Sequence, residues 1–130
     1  MVGLLLYDQE ISIKRFYLSI DLEDFTFDIN RSLGNKQVVN EDALWFSYKV
    51  INNFCNTHLN SQKITFFTTG TVARTVPSLL KTIQVDGHEV SSHYNFHDLM
   101  TDQKISLVQK NLENAIISID QPWDYSSLNP

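Results

Sequence analysis

Three short runs of β character, separated by segments of helical period, constrain this chain more than any other feature. In FYLSIDLE, Phe16 to Glu23, the apolar Phe16, Leu18, Ile20 and Leu22 alternate with Tyr17, Ser19, Asp21 and Glu23. Such alternation is the pattern of a strand with one face in a core and the other turned away from it. KITFFTTG, Lys63 to Gly70, is dense in β-branched and aromatic residues and is stopped by glycine. HEVSS, starting at His88, gives a third and shorter strand. Between the first two runs, Asn40 stands where a helix cap belongs, and Glu41 and Asp42 fall in the first turn, where negative charge is favourable. Leu44, Tyr48, Ile51, Cys55 and Leu59 then share one helical face. Pro77 suits the first turn of a helix through SLLKTIQV, and Gly87 suits its left-handed cap. Thr101 is expected to cap a last helix that aligns Ile105, Val108, Leu112, Ala115 or Ile116, and Ile119. The stretch around DINRSLGNKQ is polar, and the tail QPWDYSSLNP reads as coil. Strand and helix alternating three times predict an α/β fold of three parallel strand-helix units, because parallel strands need a crossover and helices supply it.

At 130 residues the chain is the size of one domain, with no internal repeat or linker, so a single unit over 1–130 is expected. A net charge of -5 without a lysine or arginine cluster excludes the basic stripe that a nucleic-acid partner needs. The opening MVGLLLY is too short to span a membrane and lacks the basic start and small-residue cleavage pattern of a signal peptide. No membrane partner and a cytoplasmic location are therefore expected. Cys55, the one cysteine, lies in a helical pattern and reads as a small buried residue.

In parallel βα folds, functional side chains collect where strands end, at the C-terminal edge of the sheet. Asp21, Glu23 and Asp24 lie at the end of the first strand, and His93 and His97 lie just after the third, in GHEVSSHYNFHDL. All five residues can therefore converge. Alone, a pair of histidines four apart arises by chance on solvated helices, and DLEDF alone is an acidic loop. Their joint placement on one edge is the signal, because two imidazoles and a carboxylate are a common ligand set for a divalent metal with open positions. One carboxylate of the pair Asp21 and Glu23 could hold metal while its neighbour serves as base. His88 faces the packing side of its strand, and His58, near a helix end, has a favourable place in the helix dipole.

The order YLSIDLEDF, then ITFFTTGTVARTVPSLLKTIQVDGHEVSSHYNFHDL, resembles the polysaccharide deacetylase family, carbohydrate esterase family four. The aspartate-bearing strand end, the TFF…G…A…P run, the GHE turn and the paired histidines occur in the family's order, over about Phe16 to Ile119. The resemblance implies a distorted (β/α) barrel that removes N- or O-acetyl groups from a glycan with Zn2+ or another divalent metal. It places Asp21 on the catalytic base and His93 and His97 on the two metal-binding histidines. Leu22 follows Asp21 where many members have a second aspartate, so Glu23, with Asp24 as the alternative, falls on the third ligand. Phe25, Phe27, Tyr94 and Phe96 would stand near enough to stack on sugar rings. The family's later motifs, an arginine that orients the base and a histidine that serves as general acid, are absent from these 130 residues. The expectation is thus a partial (β/α) barrel, truncated relative to the family, with base and metal site present and the acid missing. Two alternatives stand beside a working deacetylase: a non-catalytic metal- or glycan-binding remnant, and a half-barrel that self-associates through its open sheet edge.

Overall fold

The computed structural model describes residues 17–120. Phe16, the opening MVGLLLY and the tail QPWDYSSLNP, with the expectations attached to them, lie outside the described residues. Strand β1 (Ser19–Leu22), β2 (Thr65–Thr68) and β3 (Glu89–Ser92) form a parallel sheet in the order β1-β2-β3. The register sets Asp21 beside Phe67 and Phe67 beside Ser91, with Leu22, Thr68 and Ser92 in the next row. The three strand-helix units are as expected. They make an open sheet, and the described residues close no barrel.

The helices are α1 (Phe25–Ser32), α2 (Glu41–His58), α3 (Gly70–Thr75), α4 (Pro77–Val85) and α5 (Ile105–Asp120), with a 3-10 turn over Met100–Asp102. Asn40 caps α2 by accepting the Ala43 N–H at 3.1 Å. Pro77 opens α4, and Gly87 takes the left-handed conformation that ends it, φ 88°. Leu22, Leu44, Tyr48, Cys55, Ile64, Phe66, Leu79, Leu80 and Ile83 form one core between the sheet and its helices. Each fully buried large apolar side chain contributes about 1.5–3 kcal/mol relative to exposure. Burial also pushes the Cys55 thiol up, consistent with an inert packing residue.

Three local expectations need correction, and one helix is added to them. The first half of the polar stretch DINRSLGNKQ belongs to α1, a helix capped by Asp24 that the sequence pattern does not indicate. Strand β2 ends at Thr68, and Gly70 opens α3. Thr101 lies in the 3-10 turn and does not cap α5. On α5 the buried strip is Asn111, Ala115 and Ser118, while Ile105, Leu112 and Ile116 are exposed. Hydrogen bonds decide that rotation: Asn111 Oδ1 accepts from Asn95 Nδ2 at 3.0 Å, and Ser118 Oγ accepts from Arg74 Nη1 at 2.9 Å. A buried amide or hydroxyl left unpaired, as Asn95, Asn111 and Ser118 would be, is more costly than an exposed isoleucine.

Candidate metal centre

The pleat of β1 sends Leu22 into the core and keeps Asp21 and Glu23 on the other side. His93 follows the last residue of β3, and its N–H donates to Thr68 O on β2 at 2.8 Å, extending the sheet ladder by one bond. These two strand ends bring three side chains together. Glu23 Oε2 lies 3.4 Å from His93 Nε2 and 3.5 Å from His97 Nε2, and the imidazole centroids are 5.6 Å apart. One ligand atom from each of Glu23, His93 and His97 falls within 4.8 Å of the others. Asp21 stands on the far side of the His93 ring, its Oδ1 4.0 Å from Nδ1, with a half-exposed side chain.

Asp24 has a different occupation. Its Oδ1 accepts the Phe27 N–H at 3.0 Å, capping α1, and its Oδ2 accepts the Asn40 N–H at 2.6 Å. Both oxygens therefore serve backbone donors, and the residue is buried. The structure gathers Glu23 with the histidines and sets Asp24 beside them as the knot between α1 and the start of α2.

The loop from His93 to Asp98 is held from below. Tyr94 O accepts the Gly70 N–H at 2.9 Å, and Asn95 O accepts the Thr71 N–H at 3.2 Å. Asn95 Oδ1 accepts from Arg74 Nη1 at 2.7 Å. Burial lowers the Arg74 pKa, and this bond and the one to Ser118 supply the acceptors that such a cation needs. Tyr94 adopts φ 65°, uncommon for a bulky residue, and its hydroxyl donates to Gln103 Oε1 at 2.9 Å. That reversal lets His93 and His97 return to the same carboxylate. Gly70 is required by close approach: a Cβ there would run into Asn95 Oδ1 and lie 2.8 Å from Arg74 Nη1.

The sequence reads Gly70 only as the stop of a strand and gives Arg74, Asn95 and Asn111 no role at the site, although TTGT immediately after a strand is the available signal for a loop-to-helix contact. The aromatics divide. Tyr94 is buried and Phe25 is exposed, while Phe96 borders a recess of about 420 Å³ with His93, His97, Met100, Leu112 and Ile116.

Glu23 Oε2 is buried and has no hydrogen-bond partner. A carboxylate oxygen without a donor, facing two imidazole nitrogens, is an expensive arrangement for a protein alone and an ordinary one around a cation. The donor set, one carboxylate oxygen and two imidazoles, suits zinc or a similar divalent ion with positions left open. A divalent metal therefore fits these residues. Among the described residues no helix is long and apolar enough to cross a membrane.

No curated protein and no solved structure matches the chain. The pattern of the family described as polysaccharide deacetylase matches residues 58–123, half of the chain, from the end of α2 through both histidines and α5. On that match, and with the paired histidines on the strand edge where the sequence had placed them, the chain belongs to the polysaccharide deacetylase family.

Proposed function

We propose that this edge of the sheet is the metal and base portion of a glycan deacetylase site. Glu23, His93 and His97 would hold the metal, and Asp21 would be the base. The observation that carries the reading is the partnerless Glu23 Oε2 between two imidazoles in a member of this family. A divalent ion bound there supplies Lewis acidity toward an acyl carbonyl and makes water a better nucleophile.

The remaining roles belong to the chain. Asp21 is open to solvent and adjoins His93, which suits a carboxylate that takes a proton from attacking water. The recess bordered by Phe96, Met100, Leu112 and Ile116 offers an apolar wall beside the histidines for the acetylated sugar. The other two histidines stand elsewhere: His88 is in the core and His58 ends α2 against the Phe54 ring. Neither reaches this edge to protonate a leaving amine. Without a further histidine positioned as acid at this edge, the 130-residue chain should hydrolyse acetylated chitooligosaccharides slowly, forfeiting roughly 10² to 10⁴ in rate.

Calorimetry with zinc and an acetate-release assay on the 130-residue chain test this reading. The expected result is zinc binding that is lost when His93 and His97 are both alanine, with slow acetate release that Asp21→Asn removes. Unchanged zinc affinity in the double variant would refute the metal assignment. Release indifferent to Asp21→Asn would refute the base. Self-association is a further part of the proposal, since both outer strands of the open sheet have an unpaired edge among the described residues. Light scattering should detect dimers or larger species, and a strictly monomeric chain at high concentration would remove that part.

A further inference from the structure

We infer that Arg31 is a positioning residue for the metal centre, and that α1 acts as a strut between its carboxylate and its second histidine. The inference rests on the proposed metal site and adds how the chain keeps that site in shape. Glu23 immediately precedes Asp24, which caps the first turn of α1. At the other end of the helix, Arg31 in the last turn donates through Nη2 to Asp98 Oδ1, and Asp98 immediately follows His97. One helix thus has a proposed ligand next to each of its ends.

The contact at the far end is built from more than one ion pair. The Arg31 guanidinium lies over the Phe96 ring, 4.5 Å from its centroid, and Arg74 approaches the same ring at 5.9 Å. Phe96, the residue before His97, is therefore in contact with two cations from separate helices. Asp28, one turn earlier on α1, sets its Oδ1 3.7 Å from Arg31 Nε, a second carboxylate close to the guanidinium. The Arg31 and Asp98 side chains are both half-buried, so solvent screens their attraction less than it would at the surface. Arg74 and Gly70 hold the start of the loop, at Tyr94 and Asn95. Among the described residues, the side chain that pairs with Asp98, the residue after His97, is Arg31. Because both ends of α1 adjoin a ligand, metal binding and the docking of α1 must be linked, each favouring the other by the same factor.

The test uses Arg31→Gln and Asp98→Asn in the 130-residue chain, with two readouts. In the metal-free protein, hydrogen exchange should rise at the amides of residues 93–98 and remain as in the parent in α2 and α4. By calorimetry, each variant should bind zinc about 10 to 100-fold more weakly, the range for residues that orient a ligand, and the double variant should lose little more than either alone. In the parent, zinc should slow exchange in α1, and the slowing should vanish when His93 and His97 are alanine. Unchanged loop exchange together with unchanged zinc affinity would overturn the inference, as would a uniform rise in exchange through α2 and α4. A parent chain that binds no zinc would refute the metal reading. Loop exchange raised by Arg31→Gln would still establish the hold of Arg31 on the loop in that case.

Discussion

His88 and His93 flank the same short strand and look to opposite faces of the sheet, and the difference between their surroundings separates structure from site. His88 is buried among rings, edge-on to Tyr48 at 6.3 Å and to Phe66 at 5.5 Å. Its Nδ1 accepts the Ile64 N–H at 3.2 Å, which leaves the proton on Nε2 to donate to Asn52 Oδ1 at 3.0 Å. Asn52 continues to Asp86 at 3.2 Å, and Asp86 also accepts from the Tyr48 hydroxyl, whose pKa burial raises. Every member of that network has a partner. His93 instead faces a buried carboxylate oxygen that has none. A histidine whose hydrogen bonds are all answered by protein is a packing residue. One that shares an unanswered acceptor with a second histidine has the surroundings that the proposed metal site requires.

The largest expected effect comes from exchanging the fates of the two histidines. His93→Ala should reduce zinc affinity by more than the roughly 10 to 100-fold typical of residues behind a ligand, with little loss of stability in the metal-free chain. His88→Ala should do the reverse, leaving zinc affinity near that of the parent and costing about 1–3 kcal/mol through the unpaired Ile64 N–H and Asn52. Calorimetry with zinc and urea denaturation on both variants decide it, and equal effects on both readouts would erase the distinction between the faces.

Gly70→Ala blurs the two classes in an informative way. The new Cβ must displace Asn95 or Arg74, so overpacking should cost about 1–3 kcal/mol and should also weaken zinc binding through the loop that carries both histidines. A destabilised variant with unchanged zinc affinity would show that the underside of the loop does not control its top.

The parts of this molecule legible in its sequence were those governed by local pattern. Alternation in FYLSIDLE fixed which face Asp21 and Glu23 share, and the GHEVSSH run placed His88 inward and His93 outward. Asn40, Pro77 and Gly87 marked helix ends because each answers a local backbone need. What escaped was decided by partners distant in sequence. The buried face of α5 is set by Asn95 and Arg74, which no periodicity within the helix can reveal. Helix α1 hides because FTFDINRS is short, polar on average and buries no residue fully, its order coming from the Asp24 cap and the grip of Arg31 on Asp98. The open sheet instead of a barrel is likewise a matter of long-range closure.

Asp24 supplies a smaller test of the same comparison, because it adjoins Glu23 yet belongs with His88 among the fully answered groups. Asp24→Ala should cost about 1 kcal/mol as a lost helix cap, and zinc should bind more weakly only as far as α1 shifts. Glu23→Gln should weaken zinc binding by far more. If Asp24→Ala matched Glu23→Gln in the zinc titration, Asp24 would be the carboxylate ligand.

The smallest expected effect is a pH dependence of stability that comes from the inner histidine. Burial lowers the His88 pKa below its ordinary value of 6.5, the Lys63 cation adds to the shift, and the Asp86 carboxylate opposes it in part. The geometry agrees, since a proton on Nδ1 would point at the Ile64 N–H that now donates to it. Above pH 6.5 the ring is neutral in both the folded and the unfolded chain, and its contribution to stability is complete. As pH falls below that value the unfolded chain takes up the proton first, so stability declines until the pH reaches the lowered folded value. Thermal melts of metal-free protein from about pH 7.5 down to about pH 5.5 span the onset of that loss. His88→Gln, which cannot titrate, should melt lower than the parent at neutral pH and lose less as the pH falls, so the two curves converge. Curves that stay parallel would mean that His88 takes up its proton as readily inside the protein as outside, and the inner face would no longer be the closed network from which the metal edge is distinguished.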